Sequence, residues 1–188
     1  EGVSLFSSFA VLLSFNYFTG RFKGLMQIIS WSALDEQLHS HIGCLLFKEL
    51  VKEKPLTIAE KVQIINGFKL VVENEIAFIN NIFNNRTSDY ISAEQLINYI
   101  YYRANERLNF LGITNHDVFS YDKDLCKQVK DWFEPIISGN SSTDFFSQSK
   151  DGANYTAKPT LEFNKVDLGS MFQSLLEKDA EEKKFSAV

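Results

Sequence analysis

Residues 34–39 read Leu-Asp-Glu-Gln-Leu-His, LDEQLH, inside the longer run GLMQIISWSALDEQLHSHIGCLLFKEL (24–50). Apolar residues recur there at three- and four-residue spacing, which argues for a helix. On a helix, Glu36 and His39 lie about 60° apart around the axis and about 4.5 Å apart along it. Both then point into one small volume. Leu34, Leu38, Ile42 and Leu45 make the surroundings largely apolar, and a charge taken into apolar surroundings needs a partner. A Glu-x-x-His pair on a bundle helix is half of what a two-metal carboxylate centre requires. The carboxylate offers hard anionic oxygen, and the imidazole offers a nitrogen suited to iron or manganese. The bland alternative is a solvated surface pair, because the spacing is common by chance. Asp35 cannot share that face, and it is placed to hold a ring N–H of a metal-bound histidine on a neighbouring helix.

Working outward, the pattern predicts more helices. Residues 3–18 are apolar on nearly all sides, as expected of a helix inside a bundle. A turn bracketed by Gly20 and Gly24 leads into the helix at 25–52, which stops before Pro55. Thr57 with Glu60 forms a capping-box pattern that opens a helix to residue 83. Ser92 opens the next, ended by Gly112, and a shorter helix spans 123–133 and meets Pro135. After Ser138 the sequence is polar, rich in small residues and aperiodic, which reads as a mobile tail. The domain reading is thus an all-α helical body over 1–138 and a flexible tail over 139–188.

Composition narrows the function classes. The 188 residues are 45% hydrophobic, with 17 Phe and 7 Tyr, so there is ample material for a core. A net charge of −5 without a basic block argues against a nucleic-acid partner. Cys44 and Cys126 have no CxxC spacing and suit a reducing, cytoplasmic compartment. In that reading the acceptor patterns at Asn85, Asn140 and Asn154 are chance matches. The charge-free run 2–18 is interrupted by Ser4, Ser7, Ser8, Ser14 and Asn16, which favours a core helix over a membrane span or a signal peptide. An initiator Met is trimmed only before a small residue. A chain that begins at Glu1 is therefore expected to lack something upstream or to arise by cleavage or design.

Several segments together carry a family resemblance. EGVSLFSSFAVLLSF (1–15) followed by GLMQIISWSALDEQLHS (24–40) resembles the ligand-bearing helices of the small, radical-generating subunit of class I ribonucleotide reductase. YIYYRANERLNFLGI (99–113) is similar to that family's Y-x-x-x-x-N-x-R-L-x-x-L-G segment, and DWFEPIISGNSSTDFF (131–146) to its W-F and T-x-F-F elements. The motifs are specific in combination, and the likeness runs to about residue 175.

The resemblance implies a ferritin-like helical bundle of which this chain is the C-terminal half. Glu1, Glu36 and His39 match three of the family's metal ligands. Asp35 matches the acid that links the metals to a radical-transfer path, and Tyr155 the tail tyrosine that relays the radical between subunits. Leu5, Phe9 and Ser32 fall where the family lines the pocket of its tyrosyl radical, with Ser32 in place of the usual aliphatic residue. VDLGSMFQSL (166–175) resembles the tail that grips the large subunit, through Asp167, Leu168, Met171 and Phe172. Here the chain runs on to Val188, so no free carboxylate follows Phe172 closely.

The family's other three ligands, an aspartate and a second Glu-x-x-His pair, have no counterpart in this sequence, and neither does the radical-bearing tyrosine. The implied cofactor is a pair of iron ions shared with that missing half, with manganese as the alternative metal. The implied partners are a polypeptide carrying the N-terminal half, the large reductase subunit, and a second copy in a dimer of assembled small subunits. The alternatives are another ferritin-like di-iron oxidase or iron-binding protein, or a non-catalytic helical interaction module.

Overall fold

The structure is a computed structural model and describes residues 2–84, 86 and 88–138. Among them are five helices and no strand: α1 (Phe6–Thr19), α2 (Lys23–Glu53), α3 (Ile58–Phe83), α4 (Ala93–Phe110) and α5 (Lys123–Ile137). The all-α expectation holds.

The helix ends form for the reasons that the sequence suggests. Thr57 and Glu60 make a reciprocal capping box at the start of α3, as do Ser92 and Gln95 at the start of α4. Gly112 takes a left-handed φ of 72°, and the Ile113 N–H reaches back to the Leu108 carbonyl, closing α4 in a Schellman turn.

Three features depart from the expectation. α1 begins at Phe6, because Leu5 adopts a left-handed φ of 72° and the chain enters the helix through a turn. α5 does not stop at Phe133 but carries Pro135 inside it and continues to Ile137. Ile136 and Ile137 are buried, and burying two isoleucines, about 1.5–3 kcal/mol each, offsets the cost of about 3 kcal/mol for an interior proline. Finally, α1 is not enclosed on all sides. It buries Phe6, Ser7, Ala10, Leu13, Ser14 and Asn16, while Leu12, Phe15, Tyr17 and Phe18 face outward.

Helix α4 is the hub and packs against α5, α3 and α1, while α1 packs mainly on α2. Leu96, Tyr99, Ile100, Ala104 and Leu108 of α4 are fully buried, together with Phe6 of α1, Ile79 of α3 and Phe133 of α5. No described helix is long and apolar enough to cross a membrane.

Candidate metal centre

The middle of α2 carries Asp35, Glu36, Gln37 and His39 on two successive turns. Glu36 is half-buried, and its Oε2 is shielded from solvent with no hydrogen-bond partner. An unsatisfied buried carboxylate oxygen costs stability, and native structures rarely keep one without a reason. His39 behaves differently. Its ring is 49% exposed, and Nε2 lies 3.6 Å from Asp35 Oδ1, whose side chain is 64% exposed. That separation suits an ion pair but is too long for a hydrogen bond. Among the described residues, Asp35 thus lies beside the histidine one turn along its own helix.

The first residues come close to this part of α2. Gly2 is buried, and a β-carbon there would overlap the Ser40 hydroxyl and press on the Arg107 side chain. A larger residue would fit there only if the Ser40 hydroxyl rotated away. Glu1 itself lies outside the described residues. Among the described residues, no three His, Cys, Asp or Glu side chains gather as a metal site would need.

Of the proposed pocket residues, Leu5 is 50% exposed, Ser32 is exposed, and Phe9 is half-buried with its ring edge-on to Phe6 at 5.7 Å. Tyr155, Asp167, Leu168, Met171 and Phe172 lie outside the described residues.

The structure also contains a buried polar network that motif reading missed. Arg103 is 3% exposed. Its Nε donates to the Gly2 carbonyl at 3.0 Å and its Nη2 to Gln37 Oε1 at 2.7 Å. Its Nη1 lies 3.3 Å from both Tyr99 Oη and Glu134 Oε1. Tyr99 donates to Glu134 Oε1 at 2.7 Å, and burial pushes its phenol well above the ordinary value, so it stays a donor. Arg107 also donates to Gln37 Oε1, at 2.7 Å. Burial, and then the neighbouring Arg103 charge, lowers the Arg107 pKa from its ordinary value. A cavity of about 160 Å³ opens beside the network, lined in part by Gln37, Glu106, Arg107 and Glu134. A second buried pair joins α1 to α3, where the Ser7 hydroxyl donates to Glu75. The available signal was positional: Arg103 lies four residues after Tyr99, on the stripe that otherwise carries the α4 core.

Comparison with known proteins bears directly on this region. The family described as ribonucleotide reductase, small chain, matches residues 1–123. The probable ribonucleoside-diphosphate reductase small subunit of Invertebrate iridescent virus 3 is 32% identical over 149 residues, covering 78% of this chain and 38% of that protein. The corresponding protein of Invertebrate iridescent virus 6 is 31% identical over 186 residues, covering 85% of this chain and 50% of that protein. The chain thus spans half or less of the length of these two relatives.

Proposed function

Because the chain belongs to the small-chain family of ribonucleotide reductase, we propose that it supplies half of a two-metal carboxylate centre serving deoxyribonucleotide synthesis. Glu36 and His39, together with Glu1, would hold the metal ions, iron or alternatively manganese. The remaining ligands would come from residues outside these 188, on this polypeptide or another. When bound, the metal pair would supply the oxidising chemistry by which the family generates a tyrosyl radical.

The observation that carries this reading is the Glu36 carboxylate. Its Oε2 is buried and unpartnered, which fits an oxygen reserved for a cation. The His39 ring, half-exposed here, would be covered by the segment that carries the remaining ligands. Asp35, whose Oδ1 lies 3.6 Å from Nε2, would have to move closer to accept that ring N–H and so fix the ring's orientation. Asp35 would then connect the centre to the transfer path that continues through Tyr155. Leu5, Phe9 and Ser32 would line the radical pocket once it is covered.

In the same proposal, residues 1–138 form the helical body and 139–188 the tail. Asp167, Leu168, Met171 and Phe172 engage the large subunit, and assembled small subunits pair as dimers in the cytoplasm.

The test is metal analysis of the complete assembly, this chain together with the segment that carries the other ligands. About two ions per assembled small subunit are expected, with Glu36→Ala losing at least one. A complete assembly that binds no iron or manganese with Glu36 intact would leave a metal-free helical interaction module as the better description.

A further inference from the structure

The two segments expected to deliver metal ligands are tied to each other through one side chain of α4. Arg103 Nε holds the carbonyl of Gly2, the residue after Glu1, and its Nη2 holds the side chain of Gln37, the residue after Glu36. The guanidinium lies 3.6 Å from the centre of the Phe6 ring, on the first turn of α1. Its remaining edge is occupied by Tyr99 and Glu134. A planar fork with donors on two sides meets these directions at once, and an ammonium cannot.

We propose that Arg103 is a positioning residue for the metal half-site, with Gln37 as its anchor on α2. The inference rests on the metal-centre reading above. Arg103 has no role in chemistry and touches no proposed ligand side chain. It holds the chain at Gly2 in register with the α2 turn that carries Glu36. Gln37 suits the anchor because its amide oxygen accepts from both Arg103 and Arg107. The cost of burying a charge argues against stability as the reason for keeping it. A well-packed apolar side chain in place of a buried ion pair is often no less stable, whereas ligand geometry demands placement to about 0.5 Å.

The experiment uses the complete assembly and measures Mn(II) affinity by competition titration, alongside thermal unfolding. Arg103→Met and Gln37→Leu are each expected to weaken Mn(II) binding by about 10- to 100-fold. Each should lower the unfolding temperature as well, because the first strands the Gly2 carbonyl and Glu134 and the second strands two guanidinium groups. Gln37→Glu keeps an acceptor for both guanidinium groups, with stronger charge-assisted bonds, and should restore affinity to within about threefold of the parent. The double variant Arg103→Met/Gln37→Leu should bind no more weakly than either single variant, because both break one clamp. If Arg103→Met does not fold, Gln37→Leu and Gln37→Glu decide the matter. Glu36→Ala is measured in parallel. Loss of metal in Glu36→Ala with unchanged affinity in Gln37→Leu overturns the positioning role alone. Unchanged affinity in Glu36→Ala overturns the metal reading beneath it.

Discussion

Helix α4 buries seven of its 18 residues, whereas α2, the longest helix, buries three of 31. α4 has neighbours on three sides, and its apolar stripe ends in contact at nearly every position. α2 packs mainly on α1 and α5 and leaves Leu25, Ile28, Trp31, Leu46 and Leu50 exposed, Trp31 at 57%. Both helices are amphipathic enough to fold, so propensity does not explain the difference. What differs is the supply of partners within these residues. α2 carries Glu36 and His39, and its exposed apolar surface is larger than solvation favours; α3, which packs mainly on α4, is likewise sparsely buried. The α4–α5 side is a finished core, and in the proposal above α2 would be one wall of a site completed by residues elsewhere. That agrees with a chain covering half or less of the two reductase relatives.

Substitutions on the two sides sharpen the contrast. Phe133 is fully buried, with its ring 5.6 Å from Tyr99 and 6.4 Å from Phe6. Phe133→Ala should cost about 3–5 kcal/mol, read as a lower denaturant midpoint with the slope unchanged. Trp31→Ala should cost the fold of this chain less than about 0.5 kcal/mol. Its effect should appear in the assembly with whatever covers α2, at about 2 kcal/mol or more, as for a buried interface aromatic. Equal costs for the two substitutions in the chain alone would erase the distinction. Ser92→Ala, at the start of α4, removes the acceptor that Gln95 N–H uses at 3.1 Å and should cost about 1 kcal/mol by thermal unfolding.

The sequence made the finished side easy to read. Thr57 with Glu60, Ser92 with Gln95, and Gly112 are local signals, and a local signal is sufficient to end a helix. Pro135 misled for the same reason. Its local preference is to break a helix, but the burial of Ile136 and Ile137 is a tertiary gain that the sequence does not display. The site was legible as spacing and not as orientation. Glu36-x-x-His39 marks the turn, yet nothing in the spacing reveals that His39 faces Asp35 while Glu36 turns inward. Arg103 was the least visible, because its acceptor at Gly2 is 101 positions away. Periodicity identifies a core face, but it cannot say which distant carbonyl will satisfy a cation placed on it.

The seam between the two sides gives the smallest effect and the most direct test of how α2 sits on α4. His41 of α2 packs its ring 4.9 Å from that of Phe110 at the end of α4. Partial burial lowers its pKa from the ordinary value near 6.5, and the charges of Arg107 and Lys48 lower it further. The folded state therefore resists protonating His41 more than the unfolded chain does. Between the depressed folded value and about 6.5, the unfolded chain binds more protons, so stability rises with pH across that window. The contribution is complete above the unfolded value and is lost as pH falls through the folded one. His41→Asn should flatten that part of the profile, seen as a smaller change in denaturant midpoint between pH 5 and pH 7.5 than in the parent. The effect is modest because the ring is still partly solvated. A steeper profile in His41→Asn, or a parent that gains stability on acidification through this range, would mean that the α2–α4 seam does not bring His41 against Arg107.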